Sequence, residues 1–229
     1  PEVGVLVFRK RDGRPLAALL HFTSHPCHGM DAYTIAGGWP GVWCEAMKPL
    51  LDGGLPLVVN GCCGNVHPRN PIAPSETRSY REMGQILAAD AERILKRLTP
   101  VEGPLRRAVR RLTIPLRDLD VAKVRRAENL LRDQPTPLWV GAGADQIDWS
   151  WIYAISILDL ARYKETHPAF DYEVQAIRLG DFQMIALTGE PFVEAQLKIK
   201  MQFPERHTWI AHMSNGYVGY IPTPEAIRR

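Results

Sequence analysis

Apolar positions follow two rhythms along this chain. Residues 3–8 and 16–22 are almost unbroken apolar runs, separated by Lys10-Arg11-Asp12-Gly13-Arg14. An Asp-Gly pair between two such runs predicts a β-hairpin. Residues 57–60 predict a short buried strand, and residues 105–116 and 208–213 predict two more. A second hairpin is predicted from residues 172–179 and 182–187, turning at Gly180-Asp181. Helical spacing fills the intervals. It predicts a short helix over 42–51 and a longer one over 75–98, where Tyr80, Met83, Ile86, Leu87, Ala91, Ile94, Leu95 and Leu98 share a face and Ser75 is the expected N-cap. Further helices are expected over 121–132, 147–163 and 191–201, the last with Pro191 in its first turn, where proline is favoured.

The fold class this predicts is α/β, with mixed sheets and hairpins flanked by helices. Three of the apolar strands run directly into polar loops: His25 follows the second, Asn60 to His67 the third, and Thr188-Gly189-Glu190 the run ending at Leu187. Sites in such folds gather at the carboxyl ends of strands, so these loops point to one shared site.

Composition narrows the classes without choosing a function. The 229 residues are 45% hydrophobic and 23% charged, ordinary for a globular chain. A net charge of +3 is too small to imply nucleic acid. The cluster Arg106-Arg107-Ala108-Val109-Arg110-Arg111 alternates with apolar residues and is read as a strand with a solvated basic face. No apolar run reaches the roughly 18 residues that a transmembrane helix needs. Four cysteines are too few for a disulfide scaffold, and free thiols are the expectation, which is weakly compatible with the cytoplasm.

Candidate chemistry lies in the three loops and one more. His21, His25 and His28 lie close in sequence with Cys27. Histidine is a common zinc ligand, but one core histidine and two loop histidines would look the same. Asn60-Gly-Cys-Cys-Gly-Asn-Val-His-Pro68 is open to four readings: metal site, redox pair, nucleophile loop or tight turn. Cys62-Cys63 lacks the two-residue spacer of zinc and redox pairs. Glu190, between a strand end and a helix start, is either a helix-terminus carboxylate, a metal ligand or a general base. Tyr217 and Tyr220 sit between glycines in Ser214-Asn-Gly-Tyr-Val-Gly-Tyr-Ile-Pro-Thr-Pro224 and are either packing anchors or ligands. Trp39, Trp43, Trp139, Trp149 and Trp151 either line a pocket or pack.

Taken together, "LLHFTSHP", "NGCCGNVHPR", "LTGEPFVE" and "SNGYVGYIPTPEA" resemble, in order, four segments of the neutral (non-lysosomal) ceramidases and their bacterial relatives. The resemblance spans nearly the whole chain and implies a zinc site with His25, Glu190 and Tyr220 as ligands, Tyr217 being the fallback for Tyr220. It also implies that Gly64, Asn65 and His67 form the active-site loop, which in the family runs G-D-V-S-P-N. Two departures stand out. The family's H-T-H-S-G-P segment, which carries a further zinc ligand, has no counterpart here, so residues 1–229 are expected to be one domain, the C-terminal portion of a larger catalytic domain. At least one more ligand is then expected from an N-terminal segment or a second chain. His67 stands where the family has its serine, and Asn65 where it has an acid.

The resemblance therefore implies a zinc-dependent hydrolase that attacks an amide of a small-molecule or lipid N-acyl substrate through metal-activated water. His67 would orient or protonate the substrate, and backbone N–H groups of residues 61–65 would face the oxyanion. An ester or acetyl-sugar hydrolase, and a ceramidase-like binding domain without activity, are the alternatives.

Overall fold

The computed structural model describes residues 2–28, 35–141 and 146–228. In chain order the elements are β1 (Gly4–Arg9), β2 (Pro15–Phe22), α1 (Gly38–Met47), β3 (Leu55–Asn60), α2 (Tyr80–Leu95), β4 (Leu105–Pro115), α3 (Val121–Asp133), β5 (Trp139–Val140), β6 (Gln146–Ile147), α4 (Trp149–Thr166), β7 (Ala169–Leu179), β8 (Phe182–Leu187), β9 (Glu190–Pro191), α5 (Val193–Met201), β10 (His207–Ala211), β11 (Tyr220–Ile221) and α6 (Pro224–Ile227). The expected α/β class is observed. Two compact units divide the chain: Pro1–Arg110 with Glu173–Arg229, and Arg111–Tyr172. In the smaller unit α3 packs on α4, and β5 and β6 form a short antiparallel ladder.

The larger unit holds the strands that carry the loops. One sheet has the order β1-β2-β3, with the predicted hairpin β1–β2 antiparallel and β2–β3 parallel. The other has the order β10-β8-β7-β4, with the predicted hairpin β7–β8 antiparallel and β10–β8 parallel. Parallel pairing aligns strand directions, so β2, β3, β8 and β10 deliver their carboxyl ends as pairs of neighbours.

Alternation explains the core. Ala18, Leu20 and Phe22, every second residue of β2, are buried with Trp39, Trp43 and Met47 of α1 and Leu87, Ala88 and Ala91 of α2. Each large side chain removed from water in this way contributes about 1.5–3 kcal/mol. The helices cross closely at Gly84, where a Cβ would stand 2.5 Å from Val42 Cβ.

Element ends differ from expectation for identifiable reasons. Helix α2 begins at Tyr80, four residues later than a Ser75 cap would give. Ser79 is the true cap: its Oγ accepts from Glu82 N–H while the Glu82 carboxylate accepts from Ser79 N–H, a full capping box. Residues 74–76 form only a 3₁₀ turn. Helix α1 starts at Gly38, and residues 48–51 continue it as a 3₁₀ turn. Pro191 lies before α5 rather than in its first turn. It pairs with Ile221 in the two-residue parallel bridge between β9 and β11.

Candidate metal centre and active-site loop

Four strand ends meet here, those of β2, β3, β8 and β10. Gly61 N–H donates to Phe22 O at 3.0 Å, joining the ends of β2 and β3. His212 N–H donates to Asn60 O at 3.2 Å, joining the end of β10 to β3. Met213 N–H donates to Gly189 O at 2.8 Å, and Glu190 N–H to Gly219 O at 2.9 Å. The loop after β10 is thus bonded along the loop after β8. Gly189 is required there: its φ is +74°, and a Cβ would meet Val218 at 2.6 Å. Such a conformation is open to glycine and costly for other residues.

Glu190 lies against His25 and Tyr217, with Tyr220 beside His25. His25 lies in the loop after β2, its N–H donating to Val66 O at 2.9 Å, which ties it to the 61–67 loop. Its Nε2 is buried without a hydrogen-bond partner and lies 3.6 Å from Glu190 Oε2. Glu190 is itself buried, and its other oxygen, Oε1, accepts from the Tyr217 hydroxyl at 3.0 Å. Tyr220 is the register partner of Glu190 in the β9–β11 bridge, and its ring centroid is 6.0 Å from that of His25. Burial, then the neighbouring Glu190, pushes both phenols above the ordinary tyrosine value. Both therefore remain protonated near neutral pH, and Tyr217 is a donor to the carboxylate.

The 61–67 loop has a different job for almost every residue. Gly64 N–H donates to Pro191 O at 3.0 Å, and a Cβ on Gly64 would stand 2.4 Å from Glu190 O. Only glycine lets the loop lie against the Glu190 backbone. Asn65 Oδ1 accepts from Val193 N–H at 2.8 Å, and its Nδ2 donates to both oxygens of Glu194 at 3.2 and 3.0 Å. Its side chain caps α5 from outside. The N–H groups of Gly61, Cys62 and Gly64 already donate to Phe22 O, Gln196 Oε1 and Pro191 O, so these three are not open to an oxyanion, contrary to the expectation for the whole 61–65 stretch.

His67 is exposed, with its ring centroid 6.5 Å from that of His25. Its Nδ1 accepts from Arg69 N–H at 3.2 Å, leaving the ring proton on Nε2. Desolvation, then the charges of Arg69 and His25, holds its pKa below the ordinary histidine value. His67 is therefore a neutral ring presenting an N–H donor.

Cys62 and Cys63 are fully buried, and burial pushes both thiols up to about 12. Thiolate, not thiol, is the reactive form. A maleimide reagent is expected to label exposed Cys27 in the native protein and to reach Cys62 and Cys63 only after unfolding. Native labelling of Cys63 would revive a redox role. All four cysteines are free.

The sequence reading missed His212. It follows β10 as the other loops follow their strands, a signal that was available, and its ring nitrogens lie 3.7 and 3.9 Å from Cys63 Sγ. Burial lowers its pKa, with Glu190 opposing. His21 stands apart from the site, buried and stacked on Trp209 with centroids 5.1 Å apart. Trp39 and Trp43 are core residues, while Trp139 and Trp149 are exposed in the smaller unit. The Trp39 indole N–H donates to His25 O at 3.3 Å and so braces the loop after β2 from the core side.

The donor types present are ones that zinc accepts. An unbonded buried imidazole nitrogen facing a buried carboxylate oxygen, with a phenol beside them, gives N and O ligands of the right kind. Among the described residues, no three His, Cys, Asp or Glu side chains gather closely enough to hold a metal ion. His25 and Glu190 are two such groups, and the phenol would be a third donor.

No protein-family model and no curated protein matches the chain. Solved structures do. The chain superposes on a ceramidase complexed with C2 with a TM-score of 0.65 at 16% identity, covering 97% of this chain and 42% of that one. Against the neutral ceramidase of Pseudomonas aeruginosa the TM-score is 0.63 at 17% identity, covering 96% of this chain and 40% of the other. The chain has the fold of a part of these enzymes and spans about two fifths of their length.

Proposed function

We propose that this chain carries one wall of the active site of a zinc-dependent hydrolase that cleaves the amide of an N-acyl substrate, as a ceramidase does. The observation that carries the reading is the buried, unbonded His25 Nε2 facing Glu190 Oε2 at 3.6 Å, on a fold shared with ceramidases. His25, Glu190 and Tyr220 would hold the ion, and a further ligand would come from protein outside these residues. Bound there, zinc would lower the pKa of its water to roughly 7 and polarise the scissile carbonyl.

The chain's own groups do the rest. Glu190 supplies the charge, and the Tyr217 hydroxyl fixes its rotamer by holding Oε1, as outer partners orient ligands in metal sites generally. His67 donates its Nε2–H to the substrate carbonyl. Its Nδ1 lone pair is already used by Arg69 N–H, so it acts as a donor and not as the base. Gly64 and Asn65 hold the loop against Glu190 and α5.

Metal content of the full-length protein tests the reading. One equivalent of zinc is expected, falling below a tenth of an equivalent in His25→Ala and in Glu190→Ala. Stoichiometric zinc that survives both changes would sink it. Zinc binding without turnover of N-acyl amides or esters would leave a binding domain.

A further inference from the structure

The sheet β1-β2-β3 is apolar on both faces, and among the described residues only one of them is covered. Residues paired across the strands lie on the same face. Leu6, Leu19 and Leu57 form one row, and Phe8, Ala17 and Leu55 form the next. Val5, Val7, Ala18, Leu20, Phe22 and Val58 alternate with them and pack toward α1 and α2 on the opposite face. At one end of the first face Trp209 seals the sheet against His21 and Gly4; a Cβ on Gly4 would stand 2.7 Å from the indole. Away from that end the face is open: Leu55 is 58% exposed, Phe8 45% and Leu57 43%.

An antiparallel sheet with one solvated face alternates apolar and polar residues, whereas strands covered on both sides are continuous apolar runs, the habit of parallel sheets. Strands β1, β2 and β3 are of the second kind, and β2–β3 is parallel. An open patch of adjacent large apolar side chains marks a contact surface. More than half of each matching ceramidase chain has no counterpart in these residues.

We propose that this face is an interior surface of the larger protein. A second apolar layer, contributed by a part of the same polypeptide outside these 229 residues, seats on the rows of Leu57 and Leu55 and completes a three-layer arrangement of helices, sheet and second layer. The inference does not depend on zinc or on the amide reaction.

Photo-crosslinking in the natural full-length polypeptide tests it. Leu57 is replaced by p-benzoylphenylalanine, isotopically light and heavy protein are mixed before irradiation, and crosslinked peptides are identified by mass spectrometry. The expected result is a crosslink within one chain, joining residue 57 to a peptide outside these 229 residues. A mixed light–heavy crosslink would overturn the proposal in favour of a second copy. A crosslink confined to these residues, or none above the level of a benzoylphenylalanine placed at fully exposed Ile72 (94% exposed), would overturn it outright.

Discussion

Gly64→Ala is expected to lower amide hydrolysis by about 10²-fold, the scale of a 1 Å misplacement of catalytic groups, and to destabilise the fold by about 1–3 kcal/mol. The added Cβ would lie 2.4 Å from Glu190 O and 3.0 Å from both Pro191 O and the Phe192 ring. Two of those atoms belong to backbone pinned on its other side, since Glu190 N–H is bonded to Gly219 O and Phe192 N–H to Ile221 O. Relief must come from the 61–67 loop, which carries His67 and is bonded to His25 through Val66 O. The displacement therefore separates His67 from His25 and Glu190 and loosens the wall that presents Glu190. Steady-state kinetics and thermal melting of the variant check this. Wild-type activity would show that the loop's approach to Glu190 has no part in the reaction.

Acid is expected to remove stability well before the carboxylates titrate, because of His21. Burial holds its pKa at about 4 against an ordinary 6.5. Nε2–H donates to Ile210 O at 3.0 Å, while Nδ1 is buried with no partner, so a second proton would have nowhere to bond. The folded state therefore favours the neutral ring. Its contribution is complete above pH 6.5 and is lost as pH falls from about 6.5 to about 4, because the unfolded chain takes the proton first. The shift corresponds to about 3 kcal/mol. Burial lowers the His212 pKa too, so His212 adds in the same direction. Urea unfolding at pH 7.5 and 5 should show the loss in wild type and a smaller one in His21→Phe, whose ring keeps the stack on Trp209. Equal losses in both would assign the acid sensitivity elsewhere.

What could be read from the sequence was whatever is coded locally. Asp12-Gly13 and Gly180-Asp181 marked both hairpins because a tight turn needs particular residues at fixed positions. The polar loops at strand ends marked where the candidate site lies. The Ser79-x-x-Glu82 signature of α2 was equally local, but Ser75 stood nearer the Pro-rich loop and took its place in the expectation. The roles of Gly64, Asn65 and Tyr217 were not readable. Each depends on a partner far along the chain: Pro191 for Gly64, α5 for Asn65 and Glu190 for Tyr217. Composition does not encode such distances. His67 could be located but not understood, because its tautomer is set by a bond from Arg69 that only the folded loop makes.

Asn65 shows how this loop is free to vary. Its amide has two ends with opposite duties, accepting from Val193 N–H and donating to the Glu194 carboxylate. An aspartate, as in the G-D-V-S-P-N loops it resembles, would keep the first bond but turn a carboxylate toward the oxygens of Glu194. The identity of residue 65 is therefore settled jointly with that of residue 194, which stands 129 positions away. In related sequences an acid at the first position is expected to be accompanied by a neutral or basic side chain at the second. The loop and the first turn of α5 are thereby coupled, so that a substitution in one constrains the other.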